Sequence, residues 1–307
     1  MKKNLFFTLT ILISVFTNCD KVENAYPEPE TELDISLYPG SWSDYLENEY
    51  PEFGDNTAQL QNVIIEEYTG HRCNNCPTAA ATAYSLVQSN PDRVFLAAIH
   101  SGPGGMTSFQ EYNETSSQFF TNHTNEEGLA YGKYFQNGFN FFGNPQGTVN
   151  RQTIDNKMFD FHGTWGTRVD NLLDNNDILV RLQSVFNYFP ASNGGYLHVE
   201  VEKNNTLSTP INVVVFVIKE EEENWQTMPD NSYNENYIHK HKHLGSIDNR
   251  PWGRTALNEA SSIGEKVVLD YDYKIPDGLD VNNMHFLIFA YDTETYEIYQ
   301  VIKQEVE

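Results

Sequence analysis

The order strand, Cys-x-x-Cys, helix, strand constrains this chain more than any other feature of its sequence. Residues 63–68 form a β-branched run with the length of a strand. Cys73 and Cys76 follow it, and Pro77 opens an alanine-rich stretch that is compatible with a helix. Residues 94–99 predict a second strand. This order places the cysteine pair at the N-terminus of a helix.

The cysteine pair has chemical consequences at that position. Unpaired N–H groups and the helix dipole stabilise a thiolate at a helix N-terminus, and Arg72 adds a nearby positive charge. A thiolate is the species that attacks a disulfide. In an exported protein a Cys-x-x-Cys pair oxidises unless something keeps it reduced. Cys73 and Cys76 are therefore open to three interpretations: a redox pair, a structural disulfide or half of a metal site.

The charge of the chain excludes several classes of partner. The 307 residues include 19 Lys and Arg against 43 Asp and Glu, which gives a net charge of −24. A phosphate-binding surface needs a basic patch, so no nucleic-acid partner is predicted. The three cysteines are too few for a disulfide-rich scaffold, and their odd number leaves Cys19 to be explained.

Cys19 directly follows a short apolar segment. Lys2 and Lys3 precede an apolar run at residues 5–16, which is too short to span a bilayer comfortably. This is the layout of a secretory signal. With the cysteine after it, the segment resembles a bacterial lipoprotein signal, which implies a signal peptide at residues 1–18 and a lipid on Cys19. An ordinary cleaved signal, with the cysteine incidental, is the alternative.

Residues 19–58 predict an acidic tether. The stretch from 20 to 58 holds eleven acidic residues, one basic residue and four prolines, and it shows no apolar period. Such a segment repels itself and extends. A short ordered piece is predicted around Trp42 and Tyr45.

The middle of the chain resembles the thioredoxin-like superfamily. Glu67 lies six residues before Cys73, where thioredoxins carry a buried acid that moves protons for the second cysteine. Pro145, in a Gly-Asn-Pro segment, matches the loop in which thioredoxins hold a cis-proline against the disulfide. The resemblance implies that Cys73, Cys76, Pro145 and Glu67 are the catalytic residues.

The same resemblance implies the limits of a thioredoxin-like α/β domain, at residues 59–176. Residues 164–173 would form its closing helix. The segment before the proline loop is longer than in a minimal thioredoxin, which predicts a helical insertion at about residues 103–138. Arg72 is a departure, because thioredoxins commonly carry Trp at that place.

A more particular resemblance is to a lipoprotein family of Gram-negative bacteria named for a twenty-eight-kilodalton outer membrane protein. Its members combine a lipid signal, a Thr-Gly-x-x-Cys-x-x-Cys-Pro motif, a Gly-x-Pro…Val-Asn-Arg motif and a C-terminal β domain. The matching residues here are Thr69, Gly70, Cys73, Cys76, Pro77, Gly143, Pro145, Val149, Asn150 and Arg151. The resemblance implies lipid anchoring in the outer membrane, on its periplasmic or cell-surface face. It implies location and fold more firmly than activity.

The last third of the chain, residues 177–307, predicts an antiparallel β-sandwich. Its β-rich runs are residues 178–189, 196–201, 211–219, 266–275, 284–291 and 296–303. Runs of this kind with turn-rich gaps are typical of packed antiparallel sheets. The long gap at residues 221–264 is predicted to cover a face or an edge, with residues 220–223 as a solvated acidic turn.

Histidines supply the remaining site candidates. His100 ends a predicted strand, where sites on open α/β sheets lie, and His71 stands in the loop before the cysteines. Both are candidate neighbours of the disulfide. His239, His241 and His243 alternate, so on a strand they would share one face able to hold a transition metal. An exposed basic spot is the simpler interpretation, and no metal or cofactor is predicted.

Three functions from different classes fit these features. The first is an extracytoplasmic thiol–disulfide oxidoreductase acting on a protein thiol or disulfide. The second is a surface binding or adhesion lipoprotein with a structural Cys73–Cys76 disulfide. The third is a copper chaperone that combines Cys73 and Cys76 with His100 or another histidine.

Overall fold

The computed structural model describes residues 32–174 and 177–306. The predicted signal peptide, residues 1–18, and the predicted lipid site at Cys19 lie outside these residues. Within the described part of the chain, no helix is long and apolar enough to cross a membrane.

Aromatic side chains hold the first described helix in place. Helix α1, Trp42–Asn48, begins after Ser41, whose hydroxyl accepts a hydrogen bond from the N–H of Asp44 at 3.1 Å. Trp42 and Tyr45 are buried against Tyr196. This helix forms where the sequence predicts a short ordered piece.

The strands and helix around the cysteine pair form where the sequence predicts them. Strands β1, Val63–Thr69, and β2, Val94–His100, run parallel and are connected by helix α2, Cys76–Ser89. Both strands are buried along their whole length, as expected of parallel strands covered on both faces. Pro77 lies in the first turn of α2, where its missing N–H costs no helical hydrogen bond.

The segment that follows β2 is mostly irregular. The described residues 103–138 contain a single helix, α3, Glu126–Phe135, which Asn125 caps. The predicted insertion is therefore made of turns and one helix. Beyond it, strand β3, Gln146–Val149, pairs antiparallel with β1, and helix α4, Trp165–Leu173, packs on the same core cluster as β1.

The rest of the described chain is β-structure. Its strands are β4 (Val180–Phe189), β5 (Gly194–Lys203), β6 (Ile211–Thr227), β7 (Tyr233–Ser246), β8 (Arg254–Leu257), β9 (Lys266–Lys274), β10 (Met284–Asp292) and β11 (Ile298–Glu305). Strands β4, β5 and β9 form a three-stranded sheet. The others join an eight-stranded sheet in the order β11-β10-β6-β7-β2-β1-β3, with β8 paired to β6. The fold is mixed α/β and mostly β.

The eight-stranded sheet joins segments from both sides of residue 176. Strand β7 lies beside β2 in parallel, with Ala98 paired to Lys242. One aromatic-rich core cluster likewise combines Tyr68 of β1 with Phe216 of β6. The predicted domain limits stay predictions, and the strands on either side of the boundary share one sheet.

Strands β6 and β7 form a long hairpin that extends into residues 221–264, the gap predicted to cover a face or an edge. The acidic run Glu220 to Glu223 lies inside β6 and not in a solvated turn, so that interpretation is wrong. Glu222 pairs across the hairpin with Lys242 at 2.5 Å, and Glu221 pairs with Lys240. Cross-strand lysines therefore compensate the acidic run and allow it to remain in a strand.

Candidate functional site

Cys73 and Cys76 form a disulfide at the start of α2. Backbone hydrogen bonds shape the loop, since the Cys73 N–H donates to the Gly70 carbonyl at 3.0 Å. Both cysteines are almost completely buried, with 1% of Cys73 and 2% of Cys76 exposed. The helix N-terminus predicted for the pair is present, but the sulfur atoms do not lie open to solvent.

The end of the β6–β7 hairpin covers the disulfide. The Gln226 side-chain amide donates to the Cys73 carbonyl at 2.9 Å, and the Thr227 N–H donates to the His71 carbonyl at 2.8 Å. At the turn of the hairpin, Asn231 accepts a hydrogen bond from the Asn74 side chain at 3.0 Å. The cysteine loop is thus fastened to a segment more than 150 residues further along the chain.

Glu67 is a buried acid that lines the same cavity as Cys76. It is 1% exposed, and its Oε1 has no hydrogen-bond partner among the described residues. Burial raises the pKa of Glu67 to about 8, and a hydrogen bond with the Thr69 side chain lowers it in part. Glu67 and Cys76 line one cavity of about 390 Å³, together with His100 and His239.

Four histidines cluster beside this cavity. The ring of His123 lies 4.8 Å from that of His100, 4.9 Å from that of His239 and 5.1 Å from that of His71, measured between centroids. All four are buried. Sequence reasoning singled out the other three but missed His123, which lies in an irregular segment without a spacing signal.

Burial keeps the histidine cluster uncharged. It lowers the pKa of His239 to about 4, and it lowers the pKa of His71 and His100 as well. The pKa of His123 falls for the same reason, and the neighbouring Lys242 lowers it further. The cavity that Cys76 lines is therefore also lined by the neutral imidazoles of His100 and His239.

Arg72 and Pro145 are held by the segment that follows β2. The Arg72 Nε donates to the Glu111 carbonyl at 2.6 Å, and its guanidinium lies 4.5 Å above the ring centre of Phe119. The Asn144–Pro145 bond is cis, and the Asn144 side-chain oxygen accepts a hydrogen bond from Gln110 at 3.3 Å.

Gln110 connects this proline loop to the end of β1. Its side-chain amide also donates to the Thr69 carbonyl at 2.7 Å. The structure thus brings the proline loop and the end of β1 together through one side chain.

The three alternating histidines of β7 do not share a site. His239 joins the histidine cluster, His243 packs 4.2 Å from the ring of Phe216, and His241 lies 3.1 Å from Glu220. The strand departs from regular alternation at His241, which has a φ of 51°.

Comparison with known proteins places the chain in a family. The family model described as "Outer membrane protein Omp28" matches residues 132–307, more than half of the chain. The chain belongs to the Omp28 outer membrane protein family. A search of curated proteins gave no match.

Solved structures also resemble this Omp28-family chain. HBP35 of Porphyromonas gingivalis has a TM-score of 0.59 at 14% identity, over 82% of this chain and 77% of that chain. Protein AGR_C_4864 from Agrobacterium tumefaciens has a TM-score of 0.51 at 14% identity, over 81% and 96% of the two chains. At such identities the likeness concerns the fold alone. A domain of the outer membrane lipoprotein Omp28 from Porphyromonas gingivalis matches 44% of this chain and 93% of that domain, at 19% identity and a TM-score of 0.28.

The Val-Asn-Arg segment of this Omp28-family chain serves the fold around the site. The Asn150 side chain accepts a hydrogen bond from the Ile64 N–H at 2.7 Å. Arg151 is fully buried and forms two hydrogen bonds with Glu66, from Nε at 2.7 Å and from Nη2 at 2.6 Å. These contacts hold β1 in register beside the loop after β3. They thereby also position Glu67, which follows Glu66 in β1.

Proposed function

We propose that this Omp28-family protein is a lipid-anchored thiol–disulfide oxidoreductase of the outer membrane. In this proposal a lipid on Cys19 holds the chain, and β1, α2, β2, β3 and α4 make up a thioredoxin-like unit around Cys73 and Cys76. The substrate is a thiol or disulfide, in a protein or in a small molecule. The three-stranded sheet and the remaining strands would form the attached sandwich.

The position of Glu67 carries the proposal. A carboxyl group buried without a full set of partners costs stability, and a purely structural disulfide has no use for one. Glu67 lines the same cavity as Cys76, and its pKa of about 8 allows it to hold or release a proton near neutral pH.

The chemistry balances as a two-electron exchange between two dithiol–disulfide pairs, once an external dithiol has reduced the Cys73–Cys76 disulfide. In the reduced protein, the Cys73 thiolate attacks one sulfur of a substrate disulfide, and the other substrate sulfur leaves as a thiolate. Cys76 then gives its proton to ionised Glu67 and attacks the Cys73 sulfur. This step closes the Cys73–Cys76 disulfide and expels the second substrate sulfur as a thiolate. Protons from Glu67 and from water then complete the substrate dithiol. Pro145 would present backbone to a substrate chain.

We expect replacement of Cys73 by serine to abolish disulfide reduction by the reduced full chain. Glu67→Gln should slow the reaction at least about tenfold and remove the inflection of the pH–rate profile near pH 8. Reduction of insulin and of a small aromatic disulfide, followed from pH 6 to 9, measures both effects. Glu127→Gln is the matched control, because Glu127 is a buried acid on α3 that does not line the cavity. Equal activity in the wild type and in Cys73→Ser would refute the proposal.

A second candidate rests on the burial of the sulfur atoms. A disulfide covered by the β6–β7 hairpin, with Gln226 bonded to Cys73, suits a structural clasp in a binding lipoprotein. Structural disulfides have reduction potentials below about −300 mV, while oxidoreductases lie between about −120 and −270 mV. Equilibration of the full chain with glutathione or dithiothreitol buffers therefore separates the two candidates.

A further inference from the structure

We propose that Glu220, His241 and His285 form a binding site for a divalent transition metal ion, with Zn²⁺ as its simplest occupant. The three residues lie on the adjacent strands β6, β7 and β10. One carboxylate oxygen and one nitrogen from each histidine all lie within 4.8 Å of one another. Two imidazoles and a carboxylate are a ligand set that suits zinc and its neighbours in the first transition row.

The sheet itself brings the ligands together. Lys219 pairs with Lys242 and Glu221 pairs with Lys240, which sets Glu220 opposite His241. Glu220 Oε2 lies 3.1 Å from His241 Nδ1, and Oε1 lies 2.7 Å from His285 Nδ1. Each carboxylate oxygen therefore faces a different histidine, on strands that hydrogen bonds hold in fixed register. Ligands on such strands are more precisely placed than ligands on loops.

One buried nitrogen atom points to a missing ligand. The Nε2 of His241 is buried without a partner in this part of the chain. His285 is 3% exposed, and its Nδ1 lies 2.7 Å from Glu220 Oε1. Buried polar atoms are rarely left unsatisfied, and a metal ion accepts an imidazole lone pair directly.

The backbone of His241 supports the same interpretation. Its φ of 51° lies in the left-handed region, which is uncommon for a residue other than glycine inside a strand. Such conformations carry a cost and cluster at ligand sites.

The site has an open side. A cavity of about 280 Å³ adjoins Glu220 and His241, and Tyr84, Asn282 and Asn283 complete much of its lining. This volume holds several water molecules, at about 30 Å³ each. Three protein ligands with water in the remaining positions are the arrangement of an open zinc site.

Lys303 would compete with a metal ion for the carboxylate of Glu220. Its Nζ lies 3.1 Å from Glu220 Oε1 and 2.6 Å from Glu305 Oε1. A metal ion would displace it from Glu220 while it keeps Glu305. The alternative is that Glu220 simply forms ion pairs with Lys303 and the two histidines, and this alternative predicts no metal affinity.

The metal site does not depend on the proposed redox activity. Glu220, His241 and His285 do not line the cavity that contains Cys76 and Glu67. The affinity of this site for the metal should therefore be the same in the reduced and the oxidised protein. In the oxidised protein the cysteine thiolates are not available as competing ligands.

Titration of the tag-free, oxidised full chain with Zn²⁺, followed by calorimetry, tests the site. We expect one Zn²⁺ per chain and at least about 100-fold weaker binding in both His285→Gln and His241→Asn. Asn tolerates a positive φ, so His241→Asn removes the ligand without adding backbone strain. His162→Gln, at a histidine outside the cluster, is the matched control and should bind as the wild type does.

Two results would overturn the inference. One is the absence of Zn²⁺ binding below about 1 mM, which corresponds to a Kd too weak for a built site. The other is an unchanged affinity in His241→Asn, once circular dichroism has shown that this variant is folded. Lys303→Met tests whether Glu220 is a metal ligand or only an ion-pair partner. If it is a ligand, removal of Lys303 should tighten Zn²⁺ binding.

Discussion

Replacement of Arg151 by methionine is expected to lower the free energy of unfolding by about 3–5 kcal/mol. Arg151 and Glu66 are both fully buried, and two hydrogen bonds join them. The change leaves a carboxylate without its charge partner in the interior of the sheet. Equilibrium unfolding in urea, followed by circular dichroism, measures the loss.

Arg151 also packs against the aromatic core. Its guanidinium lies 5.0 Å from the ring centre of Tyr131 and 5.1 Å from that of Phe289, on elements from both sides of residue 176. Cation–π contacts of this kind add to the ion pair when they are shielded from water. The side chain thereby links β1 to the C-terminal strands, and its loss should weaken both.

Two further variants make the Arg151 result decisive. Arg181→Met is the control, because Arg181 pairs with Glu202 at 3.1 Å in a partly exposed ion pair and should cost no more than about 1 kcal/mol. The double variant Arg151→Met, Glu66→Leu should recover part of the loss, since it removes both charges. A cost for Arg151→Met similar to that of Arg181→Met would contradict this account.

Acid is expected to destabilise the protein strongly between about pH 6.5 and pH 4. Burial lowers the pKa of His239 from its ordinary value of 6.5 to about 4, so the unfolded chain takes up a proton in this window while the folded protein does not. Stability contributed by the neutral ring is therefore complete above pH 6.5 and is lost as the pH falls. From pH 7 to pH 5 this one group removes about 2 kcal/mol.

The neighbouring groups set the size of the acid effect. His71, His100 and His123 also have lowered pKa values through burial, so each adds to the loss. Glu67 acts in the opposite direction, because its pKa of about 8 makes the folded protein hold a proton that the unfolded chain has released. The stability gained from Glu67 on acidification roughly equals the stability lost through one histidine. Unfolding in urea at pH 5, 6 and 7 gives the slope.

The carboxylate and the lysine that face the cluster do not reverse this slope. Although burial opposes the effect, Lys242 and Lys219 hold the pKa of Glu222 below its usual range, so protonation of Glu222 becomes a loss only at lower pH. His239→Gln should reduce the slope, and His162→Gln, outside the cluster, should not. Stability independent of pH from 5 to 7 would show that these rings are not held neutral.

The local structure around the cysteines could be predicted because short-range chemistry determines it. A β-branched run, a break, a proline in the first helical turn and a second apolar run produce β1, α2 and β2 at the expected residues. The buried position of Glu67 and the cis bond before Pro145 were likewise implied by the family resemblance. These features depend on neighbours within a few residues or on a matched motif.

The cover over the disulfide could not be predicted in the same way. Four consecutive glutamates indicated a turn, but Glu221 and Glu222 are compensated by lysines about 20 residues further along the hairpin. His123 presents a similar difficulty, since long-range packing alone brings it to His100 and His239. The ion pair of Arg151 could not be predicted either, because its partner Glu66 lies 85 residues earlier in the sequence.

The pairing of β7 with β2 has a consequence for the folding of the protein during its synthesis. During synthesis β2 leaves the ribosome long before β7, and until then its edge has no partner on that side. Open strand edges associate with other chains, and long-range strand pairing is slow. A polypeptide that stops at residue 176 would keep this edge permanently. The edge of β2 is therefore protected from association only after the C-terminal strands have joined the sheet.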